Sequence, residues 1–75
     1  MMNKNPLINE TLLQMKYARV ISLLAKTLSI SQERALDLFY TSDTYQYLSN
    51  LEYHLHNMSD AYLVDEIILE IQAKQ

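Results

Sequence analysis

The first candidates for chemistry are His54 and His56, the only histidines of the chain. On an extended segment, residues two apart point to the same side, and Asp60 follows as a third possible ligand. A His-x-His pair of this kind suits Zn²⁺ or Ni²⁺. The alternative is that one histidine hydrogen-bonds a helix end while the other is solvated. Because the chain has 0 Cys and no second ligand cluster, this alternative is favoured, and no cofactor is expected.

Three carboxylates, Asp65, Glu66 and Glu70, line the outer side of the predicted last helix. Two carboxylates could act as a general acid and base, but Glu66 and Glu70 are like charges four residues apart on a face that should be wet. They are interpreted as a solvated acidic face, with docking of a basic partner as the alternative. The residues offer no set of nucleophile, base and orienting group, and a chain this short leaves little room for a deep pocket. No enzymatic activity is expected.

The tyrosines are the stronger functional signal, since four of the 6 lie within fourteen residues: Tyr40, Tyr45, Tyr47 and Tyr53. Tyr offers a large contact area and a hydrogen bond at low entropic cost, which favours it in interfaces, although some of these rings must be core. Tyr47 is predicted on the polar side of a short helix. Tyr62 and Leu69 are predicted opposite the apolar stripe of the last helix. The predicted partner-binding residues are Tyr47, Tyr62, Glu66 and Leu69.

Length and composition predict a single helical domain over residues 1–75, with a flexible lead-in over residues 1–5. Gly is 0 and Pro is 1, so glycine hairpin turns and glycine-rich phosphate loops are excluded. Chains below roughly 80 residues often need disulfides, a metal or self-association, and 49% hydrophobic residues leave apolar surface for the last of these. Met15 adds to this surplus, because it interrupts the polar strip of the first helix.

The charge pattern argues against nucleic acid and membrane partners. Nine acids oppose six scattered bases, for a net charge of -3, whereas nucleic-acid-binding proteins carry clustered bases. No signal peptide and no apolar run near the roughly 18 residues of a membrane span are visible. A cytoplasmic protein is therefore expected.

Caps and apolar periodicity predict three main helices and one short helix. The first helix runs from about Pro6 to Leu28, and its apolar arc, which includes Leu12, is wide enough to require cover on several sides. Ser31 is the preferred N-cap of the second helix, from about Gln32 to Tyr40. The predicted core face of this second helix consists of Ala35, Leu36, Leu38 and Phe39.

A short helix from about Thr44 to Leu48 is predicted next, with Tyr45 and Leu48 inward. Residues 51–58 alternate like a strand but have no partner strand, so an irregular or extended segment is predicted, with a helical turn over 51–53 as the alternative. Ser59 is the predicted N-cap of the last helix. The apolar stripe of that helix runs from Leu63 to Ile71.

The C-terminal half resembles a family of short, uncharacterised bacterial proteins. Its recurring line is Leu-His followed about six residues later by Tyr-apolar-Val-Asp-acid-Ile, matched here by Leu55-His56 and by residues 62–67. The segments 35–40 and 45–48 also look like it, so the resemblance covers about residues 28–71. It implies a small helical bundle with no assigned activity and an antitoxin-like role beside toxin-type proteins. Because the family line keeps only His56 of the two histidines, the resemblance also implies a structural role for His56, with ring stacking and one hydrogen bond to the backbone. This chain has Met58-Ser59-Asp60 where the family often has a turn containing Gly.

Together these features predict an all-α, orthogonal or irregular bundle that acts as a protein-interaction module. Its partner is another protein or a second copy of the chain, as in a homodimer. The alternative function is that of a helix-turn-helix nucleic-acid-binding regulator, because residues 24–40 form two helices joined by a short turn. Against it, the recognition helix would offer only Arg34 as a base, beside Glu33 and Asp37.

Overall fold

The computed structural model describes residues 6–74, and the side chains of residues 10–50 and 52–74. Four α-helices follow one another: α1 (Pro6–Leu28), α2 (Gln32–Tyr40), α3 (Asp43–Ser49) and α4 (Asp60–Ala73). Two single-turn 3₁₀ helices, η1 (Leu51–Tyr53) and η2 (Leu55–Asn57), connect α3 to α4. Residues 6–74 contain no strand. The predicted all-α bundle of three main helices and one short helix is confirmed, while the predicted lead-in over residues 1–5 lies outside the described residues.

The turn between α1 and α2 is built from serines instead of glycine. Ser29 takes a left-handed backbone conformation with φ of 57°, and the next N–H, that of Ile30, donates to the carbonyl of Ala25 at 3.0 Å. This is the hydrogen bond of a Schellman motif, in which Gly usually supplies the positive φ. Ser31 then caps α2, because its Oγ accepts a hydrogen bond from the N–H of Arg34 at 3.0 Å.

Serine caps also start the other two helices. Ser42 Oγ accepts from the N–H of Tyr45 at 3.0 Å and donates to the carbonyl of Phe39 at 2.7 Å. This cap starts α3 at Asp43, one residue before the predicted start. Ser59 Oγ accepts from the N–H of Tyr62 at 3.0 Å and starts α4. Each cap satisfies one of the free N–H groups that a helix leaves at its first turn.

One hydrophobic core joins all four helices. Its fully buried side chains come from every helix: Val20, Leu24, Ala35, Phe39, Leu48, Leu63 and Ile67. Burial of each large apolar side chain contributes about 1.5–3 kcal/mol relative to exposure. Two side chains predicted to be apolar contacts are exposed instead, Leu36 on α2 and Leu12 on α1. Leu36 lines an open groove between α1 and α2 with Tyr17 and Ile21 and so stays half exposed. Leu12 precedes Tyr17, the first buried residue in the described part of α1.

Four aromatic rings tie α1, α2 and α3 together. Tyr17 packs against Phe39 with ring centroids 5.4 Å apart, and Tyr40 and Tyr45 meet edge to face at 4.8 Å. Phe39 also contacts Tyr45 at 5.3 Å. Such pairs add about 0.5–1.5 kcal/mol beyond the burial of their area. Burial, and then the neighbouring phenols of Tyr45 and Tyr40, raise the pKa of Tyr17, so its hydroxyl stays neutral as part of the core.

For residues 51–58, predicted to be irregular or extended, the extended form is wrong. The alternative, a helical turn over residues 51–53, is confirmed by η1, and a second turn, η2, follows. His54, between them, has a left-handed backbone with φ of 60°, a conformation that non-glycine residues seldom adopt. This residue interrupts the helix, so that two separate turns replace one helix or one strand.

Candidate partner-binding face

The start of α4 is anchored to α1 by a forked ion pair. Asp60 accepts a hydrogen bond from Lys16 Nζ at 2.8 Å and another from Arg19 Nε at 3.0 Å. The bond from Lys16, the largest influence, and then that from Arg19 lower the pKa of Asp60, although partial burial opposes this shift. Asp60 is therefore committed to the contact between α1 and α4, and is not free to act as the third metal ligand considered from the sequence.

The two histidines lie near each other, without a third possible metal ligand grouped with them among the described residues. Their ring centroids are 6.1 Å apart. The described residues contain no group of three or more His, Cys, Asp or Glu side chains that could hold a metal ion. Nδ1 of His56 is buried without a hydrogen-bond partner among the described residues, so the hydrogen bond predicted for His56 is not made at this atom.

Glu70 is not part of a solvated acidic face, and that interpretation is corrected by its contacts. Its carboxylate accepts hydrogen bonds from the N–H of Asp43 at 2.7 Å and from the N–H of Thr44 at 2.8 Å. The hydroxyl of Thr44 donates to the same carboxylate. A negative charge at a helix N-terminus is favoured by the helix dipole. Glu70 therefore caps α3 from α4 and fixes these two helices to each other.

This contact sets the relative direction of α3 and α4. The first residues of α3 lie beside Glu70, near the end of α4, and α3 also contacts η2, which precedes α4. The two helices therefore run in opposite directions. Glu70 and the N-terminus of α3 therefore form the described contact that fixes this orientation.

The predicted partner-binding residues lie on α3 and on the outer side of α4. Together with their neighbours they make up what we name the acidic tyrosine face: Tyr47, Tyr53, Tyr62, Asp65, Glu66 and Leu69. Tyr47 and Tyr53 meet edge to face with ring centroids 5.1 Å apart. Both rings, together with Tyr62 and Leu69, are exposed, whereas Glu66 is half-buried. On a soluble surface, clustered large apolar groups of this kind often mark an interaction site.

The charges of the chain are segregated around this face. From Asp43 to Ala73 the sequence contains six acids and no Lys or Arg. The described bases lie elsewhere, on α1, on α2 and at the end of α4: Lys16, Arg19, Lys26, Arg34 and Lys74. The absence of Lys and Arg from positions 43–73 is visible in the sequence, but predictions made from single residues did not use it. Positions 43–73 therefore carry acids without Lys or Arg, whereas α1 and α2 carry charges of both signs.

Comparison with known proteins gives no functional information about this chain. No protein-family model, no curated protein and no solved structure matches the chain. The resemblance to the short bacterial family thus stays a prediction. No helix within residues 6–74 is long and apolar enough to cross a membrane.

Asp60→Asn is expected to lower the unfolding free energy by about 1 kcal/mol at pH 7, because a partly buried ion pair with Lys16 is lost. The folded-state pKa of Asp60 lies below its unfolded value of about 3.9. The stability it contributes is therefore present above that value and is lost as the pH falls through the folded pKa. Urea denaturation at pH 7 and at pH 3 should show the gap between wild type and Asp60→Asn closing in acid.

The matched control is Asp65→Asn, which removes an exposed acid from the same helix. It should leave the unfolding free energy within about 0.5 kcal/mol of wild type at both pH values. A gap for Asp60→Asn that stays constant down to pH 2 would show that the carboxylate charge is not what stabilises the contact.

Proposed function

We propose that this protein is a small cytoplasmic interaction module that binds a basic partner protein through the acidic tyrosine face, in an antitoxin-like or other regulatory role. The proposal is for a binding protein and not for an enzyme. The observation that carries it is the presence of large exposed apolar side chains within a surface that has acids but no Lys or Arg. The family resemblance supports the antitoxin-like role, and the absence of Cys suits the reducing cytoplasm.

The composition of the face supports a protein as its partner. Tyr rings are enriched among the few residues that dominate the free energy of protein–protein binding. Tyr62 and Leu69 lie on the side of α4 away from the core, with Asp65 and Glu66 between them. A complementary surface would bury the two apolar groups at its centre, while the acids steer a basic partner toward it.

The exposed side of α2 favours a protein partner over nucleic acid. As the second helix of a helix-turn-helix it would approach the phosphates with Glu33, Arg34 and Asp37, all exposed. Two acids against one base give a repulsive surface for DNA, whose binding depends on neutralising phosphates with Lys and Arg.

Tyr62→Ala and Leu69→Ala are expected to weaken partner binding by about 30-fold and 10-fold, since they remove buried contacts worth about 2 and 1.4 kcal/mol. The experiment takes as candidates the basic proteins encoded by the genes adjacent to its own, purified one by one. Isothermal titration calorimetry against each gives the Kd of wild type and of the variants.

Leu36→Ala is the matched control, because Leu36 is 50% exposed on α2 and Leu69 is 57% exposed on α4. It should change the Kd by less than about 2-fold, as expected for a residue outside the interface. Equal losses for Leu36→Ala and Leu69→Ala would contradict the proposed face. The failure of every adjacent gene product to bind would contradict the proposed function itself.

A further inference from the structure

The outward side of α1 carries a second surface, which we name the basic seam. It follows the spacing of three and four residues along the helix: Leu12, Met15, Arg19, Ser22 and Lys26. All five are exposed, and they lie within an arc of about 80° on the 3.6-residue period. Leu12 and Met15 are more than half exposed. This spacing is that of the contact line of two helices that pack side by side.

The outward side of α4 repeats the spacing with the opposite charge. Its exposed residues are Tyr62, Asp65, Leu69 and Gln72, which we name the acidic seam. Apolar and polar groups share this line as they share the basic seam, and Glu66 adds a second acid beside it. Two helix faces with the same spacing, exposed apolar groups and opposite charges are complementary both in shape and in potential.

We propose that the occupant of the basic seam is a second copy of this chain, which packs its acidic seam against it. Charge complementarity selects this occupant, because the bases of one copy meet the acids of the other. The inference rests on the proposed function in one respect, the use of the outer side of α4 as a docking surface. Self-association and partner binding therefore exclude each other on that surface.

The arrangement of the two seams allows the contact to close as a dimer. α1 and α4 pack against each other within one chain, so both seams lie on neighbouring helices. A two-fold axis between two copies can then satisfy both seams of each copy at once, which is how most homodimers close. A chain of 75 residues with 0 Cys also gains the stabilisation that small domains often obtain by association.

The test is a charge exchange measured by analytical ultracentrifugation of the full chain. Ser22→Glu with Lys26→Glu makes the basic seam acidic and leaves the pair of Arg19 with Asp60 intact. Asp65→Lys with Glu66→Lys makes the acidic seam basic. Each double variant alone should dimerise at least 10-fold more weakly than wild type, because like charges then face each other. An equimolar mixture of the two variants should regain the wild-type dimer.

Glu33→Lys with Asp37→Lys is the net-charge control for Asp65→Lys with Glu66→Lys, and it should dimerise as wild type does. Circular dichroism should show wild-type helix content for every variant. A wild-type protein that stays monomeric at millimolar concentration, or a mixture that fails to associate, would overturn the proposal. Failure of this proposal can be told apart from failure of the proposed function. If the mixture dimerises again but no adjacent gene product binds, only the dimer is supported. If such a product does bind, the Ser22→Glu, Lys26→Glu variant should still bind it.

Discussion

Replacing Phe39 with Ala is expected to remove most of the folding free energy of this chain. Phe39 is fully buried and packs against three rings, those of Tyr17, Tyr40 and Tyr45. Truncation of a buried Phe costs about 3–5 kcal/mol through lost transfer free energy and the cavity left behind. A chain of this length has a total stability of roughly 4–11 kcal/mol. Urea denaturation followed by circular dichroism should therefore show a midpoint far below that of wild type, and a chain already unfolded if the wild-type stability is at the low end of this range.

Phe39→Leu serves as the control, because it keeps most of the buried volume and loses only the ring contacts. It should retain a cooperative transition and lose about 1–1.5 kcal/mol. Similar midpoints for the two variants would show that the aromatic cluster is not the centre of the core.

Removal of the Glu70 carboxylate is expected to have the second largest effect, a loss of about 2–3 kcal/mol in Glu70→Ala. The carboxylate accepts the N–H groups of Asp43 and Thr44 and the hydroxyl of Thr44. Thr44 is buried, so the variant leaves polar groups without partners, at about 1–3 kcal/mol for each such group before relaxation. Urea denaturation gives the loss, and hydrogen exchange of the Asp43 and Thr44 amides should speed up.

Glu66→Ala is the control for this prediction, since it removes an acid one turn earlier on the same helix. Its unfolding free energy should stay within about 0.5 kcal/mol of wild type. Glu70→Gln should fall between the two, because its amide oxygen can still accept a hydrogen bond but carries no charge. An equal loss for Glu66→Ala and Glu70→Ala would mean that the cap on α3 does not stabilise the fold.

The parts of the fold that depend on local chemistry could be predicted from the sequence. Ser31 and Ser59 predict the starts of α2 and α4, because an N-cap side chain accepts a hydrogen bond from an N–H only two or three residues later. The bounds of α1 and α2 follow from these signals and from apolar periodicity. The exposure of Tyr62 and Leu69 follows from the same periodicity in α4.

Contacts between distant residues could not be predicted in this way. Glu70 lies 26 residues after Thr44, and Asp60 lies 44 residues after Lys16, so neither pairing leaves a local pattern. A helical wheel places Glu70 on the edge of the apolar stripe, where it is indistinguishable from a solvated acid. Its role depends on the position of α3 beside it.

The alternation of residues 51–58 misled for a different reason. Apolar residues at 51, 53 and 55 have the spacing of a strand, yet His54 adopts a left-handed conformation that separates two helical turns. Nothing in the residue type of His54 requires that conformation, since Gly and Asn are its usual occupants.

The central claim, that the acidic tyrosine face binds a basic partner, is tested most directly by comparing charge reversal on this face with an equal charge reversal elsewhere. Asp65→Lys with Glu66→Lys and Glu33→Lys with Asp37→Lys alter the net charge equally but lie on different helices. In calorimetric titration with the partner, we predict a loss of affinity of about 100-fold or more for the first pair and less than about 3-fold for the second. Equal losses for the two pairs would contradict the claim, because binding would then follow the net charge and not this face.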